Sequence, residues 1–282
     1  HDAIAGKAGA ATVGGGLSNE ALKHAANELW SAKGRALVVC GSNDEGTQVL
    51  VNSINSMLGS YGSTIDLDNH TWFFQGDDAA VAQLVKDMNA GAVGALVMAG
   101  VNPAYSLPNA VEFKSGLEKV GLSVSFSRYA DETASLCNWL CPDNHYLESW
   151  GDYMPKTGQY ALQQPVISKL FDTRPWQANV LKWAGVSTKW ADFIQETWQK
   201  NLAAHGGGDF APVWNQSLHD GVLVSHPMPA SAATFAGDLA AAGAAAKQAA
   251  SGAGEWELSL YTTEAIGDGQ HANNPWLQEM PD

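Results

Sequence analysis

Cysteine is scarce in this chain: Cys40, Cys137 and Cys141 are the three among 282 residues. Three thiols at such spacing supply neither a disulfide framework nor the four-cysteine runs that hold an iron–sulfur cluster. They leave the redox compartment open. Positive charge is also short, with 15 Lys and Arg against 29 Asp and Glu, a net charge of -14, and no basic cluster. Nucleic acid is excluded as a partner by that balance, because phosphate backbones need a positive footprint, and an acidic lipid surface is disfavoured for the same reason. No apolar run reaches the ~18 residues of a membrane span. The first ten residues, HDAIAGKAGA, lack the charged-then-apolar pattern of a signal peptide. Neither a GxGxxG fingerprint nor a phosphate-binding P-loop occurs.

What the chain does have is 45% hydrophobic residues, enough for one large or two moderate cores. A helix is predicted over 17–33, with Ser18 as N-cap and Gly34 as stop. RALVVC at 35–40 reads as a buried strand, followed by a Gly turn and a helix carrying Val49, Leu50, Ile54 and Met57. The pattern repeats as a helix at 77–91, a strand at 95–100, a helix at 109–121 and a strand at 122–127. Apolar strands alternating with helices predict a doubly wound α/β fold, a mostly parallel sheet covered by helices on both faces. In such sheets ligands lie beyond the carboxyl ends of the strands. There the sequence places Gly41-Ser42-Asn43, Gly100-Val101-Asn102-Pro103 and Ser127-Arg128-Tyr129. A glycine after a parallel strand serves the turn in any such fold, and it also lets backbone approach a ligand.

From 128 to 167 the pattern becomes irregular and rich in turn formers, and helices return over 174–203 with a tryptophan stripe that reads as core. Residues 237–255 are an Ala/Gly-rich linker by composition, partly helical. WELSLYTT at 256–263 alternates as a strand. The expected division is a flexible segment at 1–16, an α/β domain at 17–236, the linker at 237–255, and the start of a truncated β domain at 256–282. Cys137 and Cys141, four apart, read as free thiols beside Trp139 or as a redox pair. His145 and Glu148 read as a surface pair or a proton relay. Asp131-Glu132-Thr133 either caps a turn or contacts a ligand, and His219, His226 and His271 have no metal spacing.

Four segments, in order, carry a resemblance: VVCGSNDEGTQVLVNSINSMLGSYGS, LVMAGVNPAYSLPN, FSRYADETASLCNWLCPDNHYLESWGDY and GQYALQQPVI. Together they resemble the large-subunit fold of the molybdopterin guanine dinucleotide oxidoreductases, the dimethyl sulfoxide reductase superfamily. The tryptophan-rich helices, FAPVWNQSLHDGV and the terminal AIGDGQHANNPWLQEMPD narrow it. They are similar to the iron-sulfur and molybdopterin-like subunit of alternative complex III, a bacterial membrane complex that oxidises quinol.

That resemblance implies formate dehydrogenase-like central domains with a helical C-terminal extension. It also implies a periplasmic location, neighbouring respiratory subunits as partners, and [4Fe-4S] clusters only outside these residues. Gly41, Ser42, Asn43, Gly100, Asn102, Pro103, Asp131 and Thr133 fall where the family binds its guanine dinucleotide, as a vestigial or a working site. The departures are specific. The arginine of the family's Arg-x-Gln segment is Gly158 or Gln159 here, and Cys137-Asn138-Trp139-Leu140-Cys141-Pro142 replaces Ala-Asp-Val-Val-Leu-Pro. The expectation is a scaffold with no catalytic residue, no metal and no cofactor of its own, its old cleft filled by Tyr105, Trp139, Trp150 and Tyr153. The alternative is the cofactor-binding half of a catalytic molybdenum enzyme.

Overall fold

The computed structural model describes residues 18–73, 75–206, 209–225, 234–250, 256, 261–267, 269 and 271–280. The segment expected to be flexible, 1–16, and residues 257–260 of the expected last strand lie outside the described residues. Helices α1 (Asn19–Ser31) and α2 (Glu45–Met57) open the chain, followed by α3 (Asp78–Asn89), strand β1 (Ala95–Ala99), α4 (Pro103–Ser106), α5 (Ala110–Leu117) and β2 (Leu122–Phe126). Next come β3 (Trp139–Leu140), β4 (Gly151–Lys156), β5 (Gln159–Gln163), α6 (Trp176–Trp183), α7 (Trp190–Gly206), α8 (Phe210–Asp220), β6 (Val222–Val224), α9 (Leu239–Ala250) and α10 (Pro275–Gln278). The chain folds as two compact units, one formed by 1–70 with 228–259 and the other by 71–227 with 260–282.

In the first unit α2 packs on α9. The contact is close because Gly46 has no side chain: a Cβ there would lie 2.6 Å from Ala242 O and 3.0 Å from Ala246 N. The Ala/Gly-rich stretch expected as a linker thus contributes a packed helix, with Ala242 buried. The run 35–40, expected as a strand, joins no ladder. Asn55 takes the place of a neighbouring strand: its Oδ1 accepts from Val38 N and its Nδ2 donates to Val38 O, both at 2.9 Å. Ser60 and Thr64 hydroxyls donate to Ala36 O. The backbone groups a strand would offer are therefore held by side chains.

The second unit holds both sheets. β1, β2 and β3 form a parallel sheet with β2 in the centre. α3 and α5 cover it from one side through Val85, Met88, Met98, Phe113 and Leu117. Gly116 lets these helices approach, since a Cβ there would stand 2.9 Å from Met88 Cβ. Cover on both faces is realised at β2, where residues 123–126 are all buried and Phe126 meets the Trp183 ring. It is not realised at the edge strand β1, whose Val97 is 48% exposed.

The stretch 128–167, irregular in the sequence, builds β3 and most of a second, antiparallel sheet of order β4-β5-β6. The register shifts between Tyr153 and Lys156. Pro155, which has no N–H to give a ladder, falls inside that irregularity. Gly158 turns the hairpin at φ +76. Against this sheet pack Ile194, Trp198, Phe210 and Trp214, with Trp198 and Trp214 edge to face at 5.6 Å. The tryptophan stripe is core. Trp198 Nε1 donates to Asp152 Oδ2 at 2.9 Å, so its polar edge is satisfied. The architecture is mixed α/β with a small parallel sheet, a small antiparallel sheet and several helices.

Candidate functional site at the end of the parallel strands

β1 is followed by Gly100, whose φ of +66 turns the chain sharply into Val101-Asn102-Pro103. Pro103 then opens α4 at a position where a missing N–H costs nothing. β2 ends at Phe126 and leads through Ser127, Arg128 and Tyr129 to Asp131-Glu132-Thr133. The two turns are fastened to each other. Asn102 Oδ1 accepts from Thr133 Oγ1 at 2.7 Å and Thr133 N at 3.1 Å, and its Nδ2 donates to Glu132 Oε2 at 2.7 Å. Thr133, fully buried, also accepts from Ala104 N at 2.9 Å, satisfying a donor in the first turn of α4. Asp131 Oδ1 accepts from Thr133 N and Ala134 N while Oδ2 accepts from Ser127 Oγ at 2.6 Å.

Asn102, Asp131 and Thr133 therefore direct their polar atoms at one another. Of the alternatives open in the sequence, Asp131 is the turn cap. Glu132 is held below the ordinary carboxylate value, first by the Asn102 amide.

Beyond these turns lies a cleft of about 710 Å³. Gly100, Asn102, Tyr105, Arg128, Asp131, Glu132 and Asp143 line it, and Gly269, Ala272 and Asn273 of the C-terminal segment close one side. Tyr105 fits against Gly269, whose φ is +95 and whose absent Cβ would sit 2.7 Å from the tyrosine hydroxyl. The aromatic infill expected for this cleft is not there. Tyr105 forms a wall, Trp139 is 63% exposed on β3, and Trp150, just before β4, and Tyr153 within it line a different cavity.

Among the described residues Arg128 is the one cation in the lining, against the carboxylates of Asp131, Glu132 and Asp143. A pyrophosphate needs converging donors and positive charge. The donor set here does not fit it, because the Asn102 amide, the Ser127 and Thr133 hydroxyls and the Thr133 and Ala134 N–H groups are committed internally. Gly41, Ser42 and Asn43 lie in the first unit. There Ser42 Oγ accepts from Asp44 N, and Gln48 Nε2 donates to Cys40 O and Ser42 O. Asp44 caps α2 through Thr47 N at 2.7 Å and Thr47 Oγ1 at 2.6 Å. That helix start, where a phosphate would gain most, already carries a carboxylate, held below its usual range by the Thr47 hydroxyl and N–H.

The remaining sequence candidates are structural. Glu148 accepts from Leu170 N through Oε1 and from His145 N through Oε2, and His145 Nδ1 accepts from Leu147 N. The pair is a capping box around a single turn. Cys40, Cys137 and Cys141 are free. Cys137 donates to Thr133 O at 3.3 Å and packs against the first core, and burial is the main reason its thiol is pushed up. Among the described residues no group of three or more His, Cys, Asp or Glu could hold a metal ion. No helix among them is long and apolar enough to cross a membrane. Sequence reasoning missed Asp143 and the Gly269–Asn273 wall, which become neighbours of the cleft only through tertiary folding.

No family model matches the chain. Over 98 residues it is 36% identical to the menaquinone reductase, molybdopterin-binding-like subunit of Nitratidesulfovibrio vulgaris. That stretch is 33% of this chain and 14% of the relative, so the match spans a minor part of that subunit. The chain is in that stretch a distant relative of a molybdopterin-binding-like protein of a menaquinone reductase.

Proposed function

We propose that this chain is part of a molybdopterin-like subunit of an alternative complex III-type respiratory assembly, and that it serves there as a cofactor-free scaffold. In this reading it is periplasmic, sits against neighbouring redox subunits, and supports electron flow from quinol to a periplasmic carrier without carrying the electrons itself. The fold would be the central α/β part of the dimethyl sulfoxide reductase architecture, with its dinucleotide loops at 41–43, 100–103 and 131–133 retained as turns.

One observation carries the proposal. The hydrogen bonds of Asn102, Asp131 and Thr133 close on each other and leave Arg128 alone to meet an anion beside two further carboxylates. The relative's name and the ordered resemblance supply the respiratory setting.

A second reading keeps some support, because the cleft is open. In it the chain is the part of a catalytic molybdenum oxidoreductase that holds molybdopterin guanine dinucleotide. The deciding experiment is elemental analysis with pterin extraction on the native full-length subunit. Iron without molybdenum or pterin is the expected result. Stoichiometric molybdenum and pterin guanine dinucleotide would overturn the scaffold reading and make these loops a working site.

A further inference from the structure

Among the described residues β1 is an open edge of the parallel sheet, with β2 on one side and no strand on the other. The register sets which of its backbone groups face outward. Ala95 is opposite Leu122, and Leu122 N donates to Gly94 O at 3.1 Å. Leu96 and Met98 therefore turn their N–H and C=O groups to β2, while Ala95, Val97 and Ala99 turn theirs away. Among the described residues those outward groups have no hydrogen-bond partner. The edge is also accessible: Ala95 and Val97 are exposed, and a Cβ added at Gly94 or Gly100, which flank the strand, would meet nothing within 4 Å.

Such an edge is a template for another strand, and folds blunt it with charge, proline, a bulge, brevity or a covering segment. The other sheet edges of this unit are blunted in these ways. β4 carries Pro155 and a register shift, and Thr71 and Trp72 bridge to it at Lys156 and Pro155. β3 has two residues and β6 has three. β1 has none of these devices. Its sequence, ALVMA, is wholly apolar, and no charged residue occurs from Met88 to Val111.

The strand is complementary to itself. In antiparallel pairing about a twofold axis through Val97, Val97 meets its own counterpart, Ala95 meets Ala99, and Leu96 meets Met98, a side chain of nearly equal volume. Opposed residues whose backbone groups face each other exchange both N–H···O=C bonds. With the axis at Val97 those residues are Ala95, Val97 and Ala99, so every outward group of both copies is paired. An axis at Leu96 or Met98 would instead leave one of them opposite a residue outside the strand. Charge bears on the same choice. The net charge of -14 on each copy opposes association at a distance, but the surfaces that meet carry none, so added salt should strengthen the pair.

We infer that β1 pairs antiparallel with β1 of a second copy of this chain, joining the two parallel sheets into one continuous sheet across a twofold axis at Val97. Nothing in this depends on the scaffold reading of the cleft.

The test follows the full chain by sedimentation over a wide concentration range at low and high salt, with amide exchange along β1 read by NMR on the same samples. Expected is a monomer on dilution and a doubled mass on concentration, the change coming at lower concentration in high salt. Exchange at Ala95, Val97 and Ala99 should be unprotected in the monomer. It should slow about tenfold once roughly nine-tenths of the chain is paired, because it then proceeds through the residual monomer. Leu96 and Met98 should be protected throughout. Val97→Lys, at a half-exposed position, sets like charges opposite each other and should leave a folded monomer. Should Val97→Lys not fold, Val97→Cys keeps an apolar side chain and should yield a covalent dimer linked at position 97 on mild oxidation. Hydrogen-bonded antiparallel residues stand ~5.5 Å apart at Cα, within disulfide reach. A monomer at every concentration, or a dimer indifferent to Val97→Lys and unlinked through Val97→Cys, would overturn the proposal. So would protection of Ala95, Val97 and Ala99 already present in the monomer, since another segment would then hold the edge.

Discussion

Replacing Thr133 separates the polar from the apolar contribution of the fully buried side chain that fastens the two turns. Thr133→Val keeps the shape and removes the hydroxyl. Asn102 Oδ1 then loses its 2.7 Å donor but keeps Thr133 N, and Ala104 N loses its acceptor altogether. An unpaired buried N–H costs ~1–3 kcal/mol and the forfeited hydrogen bond ~0.5–1.5 kcal/mol, so the valine variant should lose about 2–4 kcal/mol. Thr133→Ser keeps both hydrogen bonds and removes one buried methyl, worth ~1 kcal/mol with its small cavity. Urea unfolding followed by tryptophan fluorescence reports mainly on the second unit, where the core tryptophans lie. Comparable slopes against denaturant would confirm that stability alone has changed. If serine proves as costly as valine, the side chain acts by packing and the hydrogen-bonded fastening of the two turns is refuted.

Three further outcomes follow from geometry already given. Gly46→Ala should destabilise the first unit by about 1–3 kcal/mol despite alanine's better helix propensity, because the added Cβ meets Ala242 O at 2.6 Å; amide exchange along α2 would show faster opening. Gly158→Ala combines a left-handed φ with a Cβ 2.6 Å from Ser225 O, and should cost at least ~2 kcal/mol and loosen β6 from β5, read from exchange at Tyr160 and Ser225. Glu148 is held below the ordinary carboxylate value, first by Leu170 N and then by His145 N. A depressed carboxyl contributes stability that is present above its unfolded value and lost as pH falls through the folded one. Protection of the Leu170 amide, corrected for intrinsic exchange, should therefore fall on acidification below about pH 4.3, and Glu148→Gln should remove that pH dependence.

The sequence displayed β1, β2, α3 and α5 plainly because each has its own periodicity and is bounded by its own turn. The hairpin of β4 and β5 was legible only in part. Thr157-Gly158 marks its turn, but Pro155 within β4 breaks the usual pattern, and only the bulge shows how a strand tolerates it. Residues 36–40 have strand composition, yet their backbone bonds go to Asn55, a partner that no local pattern identifies. Composition likewise made 237–255 a linker, since nothing within it reveals the notch that Gly46 supplies. At the site, the positions of Asn102, Asp131 and Thr133 were readable from strand ends. Their use was not, because which groups a side chain faces depends on how two turns meet.

The α2–α9 contact has a consequence for how the chain is made. Gly46 and the helix that fits it are separated by roughly two hundred residues, so the α2–α9 contact cannot form until α9 has been made. At ~5–20 residues per second of synthesis, α2 waits about 10–40 s for its partner after leaving the ribosome. During that interval the bare groove around Gly46 faces solvent while the second unit, nearly continuous in sequence, can complete its own core. Within these residues, α2 is therefore made long before the helix that completes its packing.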